Sequence, residues 1–300
     1  IMPLTSGRKQ FSKTETFMNF QNVDIKKIKE IREHTLSCAP LIHCITNPIS
    51  INDCANTVLL TGAKPIMAEH PDEVAGITAI AGALAVNLGN ITDARMKSII
   101  IASQAAADKG IPVIIDMVGI TCSTLRLNYA HNYLERFRPS IIKGNLAEIK
   151  ALCNEAFECI GIDAVGDEDV TDSDCSIVCS LAAARHCVVM ATGKTDIISD
   201  GINVWLIKNG SPKLPLITGT GCMLNVLTAS FLPSAAPSDA AVTACIMLGV
   251  CGEIAERTAG SLLGSYHIAL LDSLSSVTDS DLAQSARVIR STARLSLIHI

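Results

Sequence analysis

The sequence has few aromatic residues and no long apolar run. Aromatic residues make up 3% of its 300 residues, and the net charge of −5 comes without a basic block. Nucleic acid is therefore excluded as an expected partner, since rings for stacking and basic surfaces are both missing. No uninterrupted apolar run reaches the roughly 18 to 20 residues of a membrane-spanning helix. Ile1 to Gln21 lacks the pattern of a secretory signal. We expect a soluble cytoplasmic protein without a membrane partner.

Paired metal-binding motifs are also missing. The twelve cysteines are scattered singly, without Cys-x-x-Cys spacing, and no two histidines have the close spacing of a metal-binding helix. A zinc site is therefore not expected. Most cysteines lie in apolar segments, as Cys187 does before Val188. We interpret them as reduced thiols that fill the core.

What the sequence has is an alternation of short β-branched runs with longer segments of helical period. It is 49% apolar and 18% charged, which suits a packed globular domain. The alternation predicts an α/β protein with a mainly parallel sheet covered by helices. No linker divides it, so we predict one domain over 23–288, a loosely ordered N-terminal tail over 1–22 and a C-terminal tail over 289–300. The predicted strands are Leu41 to Ile45, Pro65 to Ala68, Ala83 to Leu88, Pro112 to Asp116, Ile141 to Lys143 and Cys187 to Ala191, followed by a hairpin over 196–207. The predicted helices lie near 50–60, 72–80, 93–108, 124–137 and 145–153.

A glycine motif precedes the last helical region of the chain. Gly219, Thr220 and Gly221 stand just before Cys222 and an apolar segment. Two glycines let the backbone turn tightly where a helix begins, and a helix start presents free N–H groups to an anion. An ordinary turn is the alternative, since neither the third glycine of a dinucleotide fingerprint nor a P-loop lysine is present. Cys222 is either a thiolate favoured by the helix dipole or a packing cysteine.

Charged residues follow two of the predicted strands. Asp116 ends one apolar strand, and Lys143 ends another before Asn145 and Glu148. Strand ends of open α/β sheets face the ligand crevice, where a carboxylate can hold Mg²⁺ and a cation can bind phosphate. Turn or helix caps are the alternative, because Asn145 and Glu148 also have capping-box spacing. Together with the glycine motif, these residues supply the parts that phosphoryl transfer requires.

Polar residues also follow two strands near the N-terminus. His43 and Asn47 belong to the first strand and its end, and Met67 and His70 lie at the end of the second. These segments are candidates to line an apolar substrate pocket. The ordinary alternative is that Met67 fills the core and that the histidines have structural partners.

Taken in order, these segments resemble the hydroxyethylthiazole kinase family from about Ser37 to Ser276. The motifs that carry the resemblance are His43-Cys-Ile-Thr-Asn47, Gly62-Ala-Lys-Pro-Ile-Met67-Ala, Ile80-Ala-Gly-Ala-Leu84, Gly110-Ile-Pro-Val, Lys143-Gly-Asn-Leu-Ala-Glu148, Ala191-Thr-Gly193 and Thr218-Gly-Thr-Gly-Cys222. The resemblance implies a three-layer αβα sandwich of ribokinase-like fold. It also implies ATP-dependent phosphorylation of 4-methyl-5-(2-hydroxyethyl)thiazole in thiamine synthesis or salvage, by a homotrimer with active sites at subunit interfaces.

For the thiazole substrate, the resemblance implies contacts from Asn47, Met67 and Gly219. It implies that Cys222 takes or orients the alcohol proton, where ribokinase relatives generally have an aspartate. The backbone of residues 219–222 would form the anion hole for the transferred phosphoryl group.

For ATP, the resemblance implies contacts from Lys143, Asn145 and Thr192. It implies that Mg²⁺ is the cofactor and that Asp116 and Glu148 position it. Lys143 stands where many members of the family have Arg, so the two-pronged contact of a guanidinium is lost.

A second departure from the family is the loop that follows Asp116. Met117 replaces the usual proline, and the segment from Ile120 to Arg126 differs from the family's Gly-Ala-Thr-Pro-Phe-Arg type of loop. Two alternatives stay open: a related small-alcohol kinase of the hydroxymethylpyrimidine type, which Cys222 disfavours, and a non-catalytic protein that binds thiazole or nucleotide.

Overall fold

One mixed sheet forms the centre of the protein. The computed structural model describes residues 25–153 and 170–292. The strands in these residues are β1 (Leu41–Ile45), β2 (Lys64–Ile66), β3 (Ala83–Asn87), β4 (Val113–Asp116), β5 (Ile141–Asn145), β6 (Val188–Thr192), β7 (Asp196–Ser199), β8 (Asn203–Ile207) and β9 (Val288–Thr292). Their order in the sheet is β2-β1-β3-β4-β5-β6-β7-β8-β9. All neighbours from β2 to β6 are parallel, and β7, β8 and β9 add antiparallel pairs. The inner parallel strands β3, β4 and β6 are buried on both faces, in keeping with their apolar sequences, whereas the edge strand β2 is partly exposed.

Helices cover both faces of the sheet. They are α1 (Ile25–Cys38), α2 (Ile51–Leu60), α3 (Val74–Thr78), α4 (Asp93–Lys109), α5 (Thr124–Arg136), α6 (Leu146–Cys153), α7 (Asp172–Arg185), α8 (Thr220–Phe231), α9 (Pro237–Ala259), α10 (Leu263–Ser276) and α11 (Asp279–Ser285). Several begin at the side-chain caps that their sequences predict. Thr171, for example, forms a reciprocal capping box with Asp174 at the start of α7.

Two apolar cores, one on each face, make the three layers. Alternate residues of a strand point to opposite faces, so Ala83 and Ala85 of β3 join one core while Leu84 and Val86 join the other. The first core also contains side chains of α1, α2, α8, α9, α10 and α11. The second contains side chains of α3 to α7. The predicted αβα sandwich is confirmed.

Helix α9 is long and apolar enough to cross a membrane when judged by length and composition alone. Of its most apolar window, 78% is buried inside the fold. It packs against α8 and α10. Burial in the first core therefore accounts for its apolar composition.

The sequence located most elements but missed α7 in the middle of the chain and the elements at the ends of the domain. Helix α1 was not among the predicted helices, and β9 extends beyond the predicted domain boundary at 288. Residues 289–292, which we expected to belong to a loose tail, pair with β8 instead. The apolar pair Val288 and Ile289 is too short a run to predict a strand from sequence when the neighbouring strand β8 is not considered. The predicted tail over 1–22 and the remainder of the C-terminal tail lie outside the described residues.

Candidate active site

Polar side chains converge where four parallel strands end. Asn47 follows β1, Asn87 ends β3, Asp116 ends β4 and Lys143 lies in β5. The strand register places Asn87 opposite Asp116 and Asp116 opposite Lys143. Cys222, in the first turn of α8, approaches this row from the first core. The carboxyl ends of strands in such sheets are the usual position of ligand sites.

The Cys222 sulfur accepts hydrogen bonds from two side-chain amides. Asn47 Nδ2 lies 3.1 Å from Sγ, and Asn87 Nδ2 lies 3.3 Å from it. The side chain is 8% exposed. This cysteine therefore has polar partners, unlike one that only fills space in a core.

Asp116 and Lys143 form a buried ion pair. Lys143 Nζ donates to Asp116 Oδ2 at 2.8 Å, and the two side chains are 2–4% exposed. Burial disfavours the charged lysine, but the facing carboxylate outweighs it and raises the Lys143 pKa above its usual value. Asn87 Nδ2 donates to the same oxygen at 3.2 Å. The other oxygen, Oδ1, is buried without a close hydrogen-bond partner among the described residues, although the backbone N–H of Val118 lies near enough to the carboxylate to oppose the rise in its pKa that burial causes.

The glycine motif forms the start of α8, as its spacing predicts. Gly219 has φ of +92°, and a Cβ added there would lie 2.7 Å from Ser50 Cβ, so glycine is required both for conformation and for space. A Cβ added to Gly221 would lie 3.8 Å from Lys143 Nζ. The ammonium group therefore lies beside the first turn of α8. Free N–H groups of that turn and Lys143 together make a site for an anion.

Glu148 organises the loop beside the ion pair. Its Oε1 accepts from the backbone N–H of Gly119 at 2.7 Å, and its Oε2 accepts from that of Asn145 at 2.7 Å. Asn145 Oδ1 in turn accepts from the N–H of Glu148 at 2.8 Å, which completes the predicted capping box. Burial raises the pKa of Glu148, although the two N–H donors oppose the shift. Both carboxylate oxygens thus already have backbone partners.

A small cavity lies beside the end of β6. It has a volume of about 110 Å³, and the turn from Thr192 to Thr195 forms part of its wall. Thr192 Oγ1 donates to the carbonyl of Gly144 at 3.3 Å. Asp196 accepts from the N–H of Gly193 at 3.0 Å, and burial raises the pKa of Asp196 to about 6. This cavity is the one next to the predicted ATP-binding residue Thr192.

Met67 and His43, two of the N-terminal candidates, have different positions. Met67 follows the edge strand β2 and is half-buried against the first core. His43 is fully buried, with Thr78 Oγ1 2.7 Å from Nδ1 and the Ala68 carbonyl 2.9 Å from Nε2. Burial lowers its pKa. His43 therefore has the structural role that the sequence offered as the alternative.

A larger cavity lies away from these residues. Its volume is about 370 Å³, and α1, β8, β9 and α9 line it. The cationic side chains that line this cavity already have partners there. Lys27 Nζ lies 2.6 Å from an Asp239 oxygen, and the Arg290 guanidinium lies over the Trp205 ring. The candidate site at the strand ends with Cys222 is therefore chosen by its chemistry and not by the size of the nearest cavity.

Sequence reasoning missed Asn87 and gave no role to Arg126. Asn87 contacts both Cys222 and Asp116. Arg126 donates to the carbonyls of Leu88 and Gly89 and so binds the loop after β3. The signal for Asn87 was present, because a lone amide at the end of an apolar strand resembles the position of Asp116.

The residues present fit a magnesium ion bound together with phosphate. In the described part of the chain, no group of three or more His, Cys, Asp or Glu could hold a metal by itself. Mg²⁺ usually takes one or two carboxylates, water and substrate phosphates rather than a cage of protein ligands. Asp116 Oδ1, buried and without a hydrogen bond, is a suitable oxygen.

Known proteins resemble this chain in sequence and in fold. The model of the hydroxyethylthiazole kinase family matches residues 28–280. A relative named hydroxyethylthiazole kinase 2, from Clostridium botulinum (strain 657 / Type Ba4), is 43% identical over 86% of this chain and 98% of its own. The structure of a hydroxyethylthiazole kinase protein from Pyrococcus horikoshii is 29% identical, covers 88% of this chain and 99% of its own, and superimposes with a TM-score of 0.81. A ribokinase-like protein from Enterococcus faecalis, 11% identical over 85% of this chain and 98% of its own, has the same fold with a TM-score of 0.57.

Proposed function

This chain belongs to the hydroxyethylthiazole kinase family, and we propose that it transfers the γ-phosphoryl group of ATP to the alcohol of 4-methyl-5-(2-hydroxyethyl)thiazole. The observation that carries the proposal is the position of Cys222. Its sulfur lies at the first turn of α8, between two amides and beside the Asp116–Lys143 pair. A proton acceptor, an anion-binding helix start and a buried cation therefore meet at one point, as phosphoryl transfer requires.

In the reaction, the alcohol oxygen attacks the γ-phosphorus. The new O–P bond forms as the bond between that phosphorus and the β,γ-bridging oxygen breaks, and ADP leaves. The alcohol proton passes to the Cys222 sulfur in its thiolate form. Lys143 and the N–H groups of residues 219–222 stabilise the charge on the transferring phosphoryl oxygens. In-line positioning supplies most of the rate, because a loose transition state needs little covalent help.

Asp116 and Glu148 are the residues that we assign to Mg²⁺. Asp116 Oδ1 is the free oxygen, whereas Glu148 holds its two backbone donors and would act through water. When bound, the ion neutralises charge on the ATP phosphates. Lys143 provides a single charged ammonium group, whereas the guanidinium of an arginine would make two parallel hydrogen bonds to a phosphate. The hydrogen bond to Asp116 orients this ammonium group.

The nucleotide and thiazole are assigned to opposite sides of Lys143. Thr192 and the small cavity at the end of β6 lie next to β5 on one side, where ATP would bind with Asn145. Asn47 and Met67 follow β1 and β2 on the other side, where the thiazole would bind near Gly219. Asn47 already donates to Cys222, so its contact to substrate would be made through that sulfur or from its backbone.

We assign the active form to a homotrimer with active sites at the subunit boundaries. Helices α2 and α10 pack together, and His267 is 3.1 Å from Asp53 between them. These helices, the turns before them and the turn before α8 expose large apolar side chains that are candidates for a subunit interface: Ile49, Leu59, Leu216, Leu262, Leu263 and Ile268. Light scattering should give the mass of three chains at micromolar concentration. A monomer would contradict this assignment.

The site and the buried α9 fit a cytosolic enzyme of thiamine synthesis or salvage. A hydroxymethylpyrimidine kinase is not favoured, because the family and Cys222 both indicate the thiazole. A protein that only binds its ligands would not need the Lys143 ammonium paired with Asp116 or the Cys222 sulfur held by two amides.

The proposal is tested by ADP release with Mg-ATP and 4-methyl-5-(2-hydroxyethyl)thiazole. Hydroxymethylpyrimidine and a sample without substrate are the controls, and mass spectrometry identifies the product. We expect thiazole-dependent ADP and a phosphorylated thiazole. ADP release with hydroxymethylpyrimidine alone would show that the pyrimidine, and not the thiazole, is the substrate. Thermal stabilisation by ligand without any ADP release would indicate a binding protein.

A further inference from the structure

Asn87 uses its whole side-chain amide inside the active site. Its Nδ2 donates one hydrogen to Cys222 Sγ at 3.3 Å and the other to Asp116 Oδ2 at 3.2 Å. Its Oδ1 accepts from Asn47 Nδ2 at 3.2 Å and from the backbone N–H of Gly89 at 2.9 Å. The residue is 2% exposed. One amide therefore joins the proton-accepting sulfur to the carboxylate that we assign to Mg²⁺.

Backbone N–H donors determine the orientation of the side-chain amides of Asn87 and Asn47. The N–H of Gly89 must face an oxygen, so Asn87 Oδ1 faces it and Nδ2 faces the sulfur and the carboxylate. Asn47 is fixed in the same way, because its Oδ1 accepts from the N–H groups of Ile49 and Ser50, each at 3.1 Å. A reversed amide at either position would place two donors against each other. The direction of both hydrogens on each nitrogen is thus set by the fold.

Gly89 allows the chain to pass close to this pair. A Cβ added there would lie 2.8 Å from Asn87 Oδ1 and 3.2 Å from Asn47 Nδ2. Arg126 binds the carbonyl of Gly89 at 3.0 Å and holds the loop in place. The Asn87 side chain consequently has little freedom to turn.

Two amide donors approach the Cys222 sulfur. Asn47 and Asn87 each donate one hydrogen to it, so the alcohol hydrogen would approach from a side that these amides leave open. Because Asn87 also donates to Asp116, a shift of that carboxylate would move the amide and change its contact with the sulfur.

We propose that Asn87 is a positioning residue, which holds the Cys222 sulfur and the Asp116 carboxylate in one fixed arrangement so that proton acceptance and metal binding are aligned. The inference rests on the proposed function. Asn87 gives up no proton in the reaction: the alcohol proton passes to Cys222, and both amide hydrogens stay in place. Its effect on turnover is therefore exerted through Cys222, and its effect on magnesium through Asp116.

A double-mutant cycle tests the proposal. Asn87→Leu is made in the wild type and in Cys222→Ala, and turnover is measured at saturating Mg²⁺ and thiazole. We expect Asn87→Leu to lower kcat roughly 10- to 100-fold in the wild type, with KM for the thiazole changed by less than about twofold. In Cys222→Ala the same change should lower kcat by less than about threefold, because the sulfur that Asn87 positions is gone. The Mg²⁺ concentration for half-maximal rate should rise severalfold in both backgrounds, since the contact with Asp116 is lost in both.

Asn225→Leu is the matched control. Asn225 is also a buried asparagine of this region, 1% exposed, and its Nδ2 donates to the carbonyl of Val86 at 3.1 Å, next to Asn87 in β3. Among the described residues, its side chain forms no hydrogen bond with Cys222 or Asp116. We expect kcat and the magnesium titration to stay within about twofold of the wild type.

An equal fold-loss in both backgrounds would overturn the proposal, because a purely structural residue lowers activity whether or not the sulfur is present. Asn87→Asp keeps an oxygen that accepts from the N–H of Gly89 but loses the N–H that donates to the Cys222 sulfur. It therefore replaces Asn87→Leu in the cycle if Asn87→Leu does not fold. It should show the same coupling to Cys222→Ala. A wild type without thiazole-dependent ADP release would instead defeat the proposed function, which separates the two failures.

Discussion

Replacing Lys143 with methionine would leave the buried carboxyl group of Asp116 without its counter-ion. The two side chains are 4% and 2% exposed, and the Nζ–Oδ2 distance is 2.8 Å. Removing one partner of such a pair typically costs about 3–5 kcal/mol, because the remaining charge has lost both water and its counter-ion. Methionine keeps most of the lysine stem, so little of the cost comes from a cavity. Asn87 still donates to the carboxylate, and we therefore expect about 3 kcal/mol, at the lower end of the range.

The loss of unfolding free energy in Lys143→Met should become smaller as pH falls. Burial raises the pKa of Asp116, with Lys143 opposing the shift, and removal of the lysine raises it further. Between the pKa of the unfolded chain, about 3.9, and the raised pKa of the folded variant, the folded state binds the extra proton. Stability therefore rises as pH is lowered through this window. Urea unfolding of Lys143→Met and wild type at pH 8 and pH 5, at equal protein concentration, measures the difference.

Two further variants separate charge from packing. Lys143→Met combined with Asp116→Asn removes both charges, and we expect it to cost less than about 1 kcal/mol more than Asp116→Asn alone. Lys150→Met breaks the partly exposed pair with Asp174, where the lysine is 38% exposed, and should cost no more than about 1 kcal/mol. If Lys143→Met cost the same as Lys150→Met and showed no pH dependence, the buried ion pair would be the wrong description.

Three other predictions concern the reaction and the start of α8. Cys222→Ala should lower kcat by roughly 10²-fold or more with little change in KM, measured by ADP release; an undiminished rate would exclude it as the proton acceptor. Asp116→Asn should raise the Mg²⁺ concentration needed for half-maximal rate, because a negative ligand is lost; an unchanged titration would remove Asp116 from the metal site. Gly219→Ala should destabilise the protein by roughly 1–3 kcal/mol, since φ is +92° and the new Cβ would meet Ser50. An unchanged thermal midpoint for that variant would show that the turn can relax.

The sequence by itself determined the layered architecture and most of the local structure. Short β-branched runs alternating with helical periods predicted β1 to β6 and the helices α2 to α6, because period and length are local properties of the chain. The capping pattern of Asn145 and Glu148 predicted the start of α6, since caps act within one turn. Asp116 and Lys143 were recognised as site candidates from their positions at strand ends. Their roles toward ATP and Mg²⁺ remain predictions.

Only the tertiary structure decided which of these candidates touch one another. Asp116 and Lys143 are 27 residues apart in the chain, and the register of β4 with β5 is what brings them into contact. Asn47 and Cys222 are 175 residues apart, and β9 is a strand only because β8 is there to pair with it. Asn87 could not be distinguished from an ordinary strand-end amide until both of its hydrogens had partners. Such pairings depend on register and packing between distant segments, and no local pattern in the sequence encodes them.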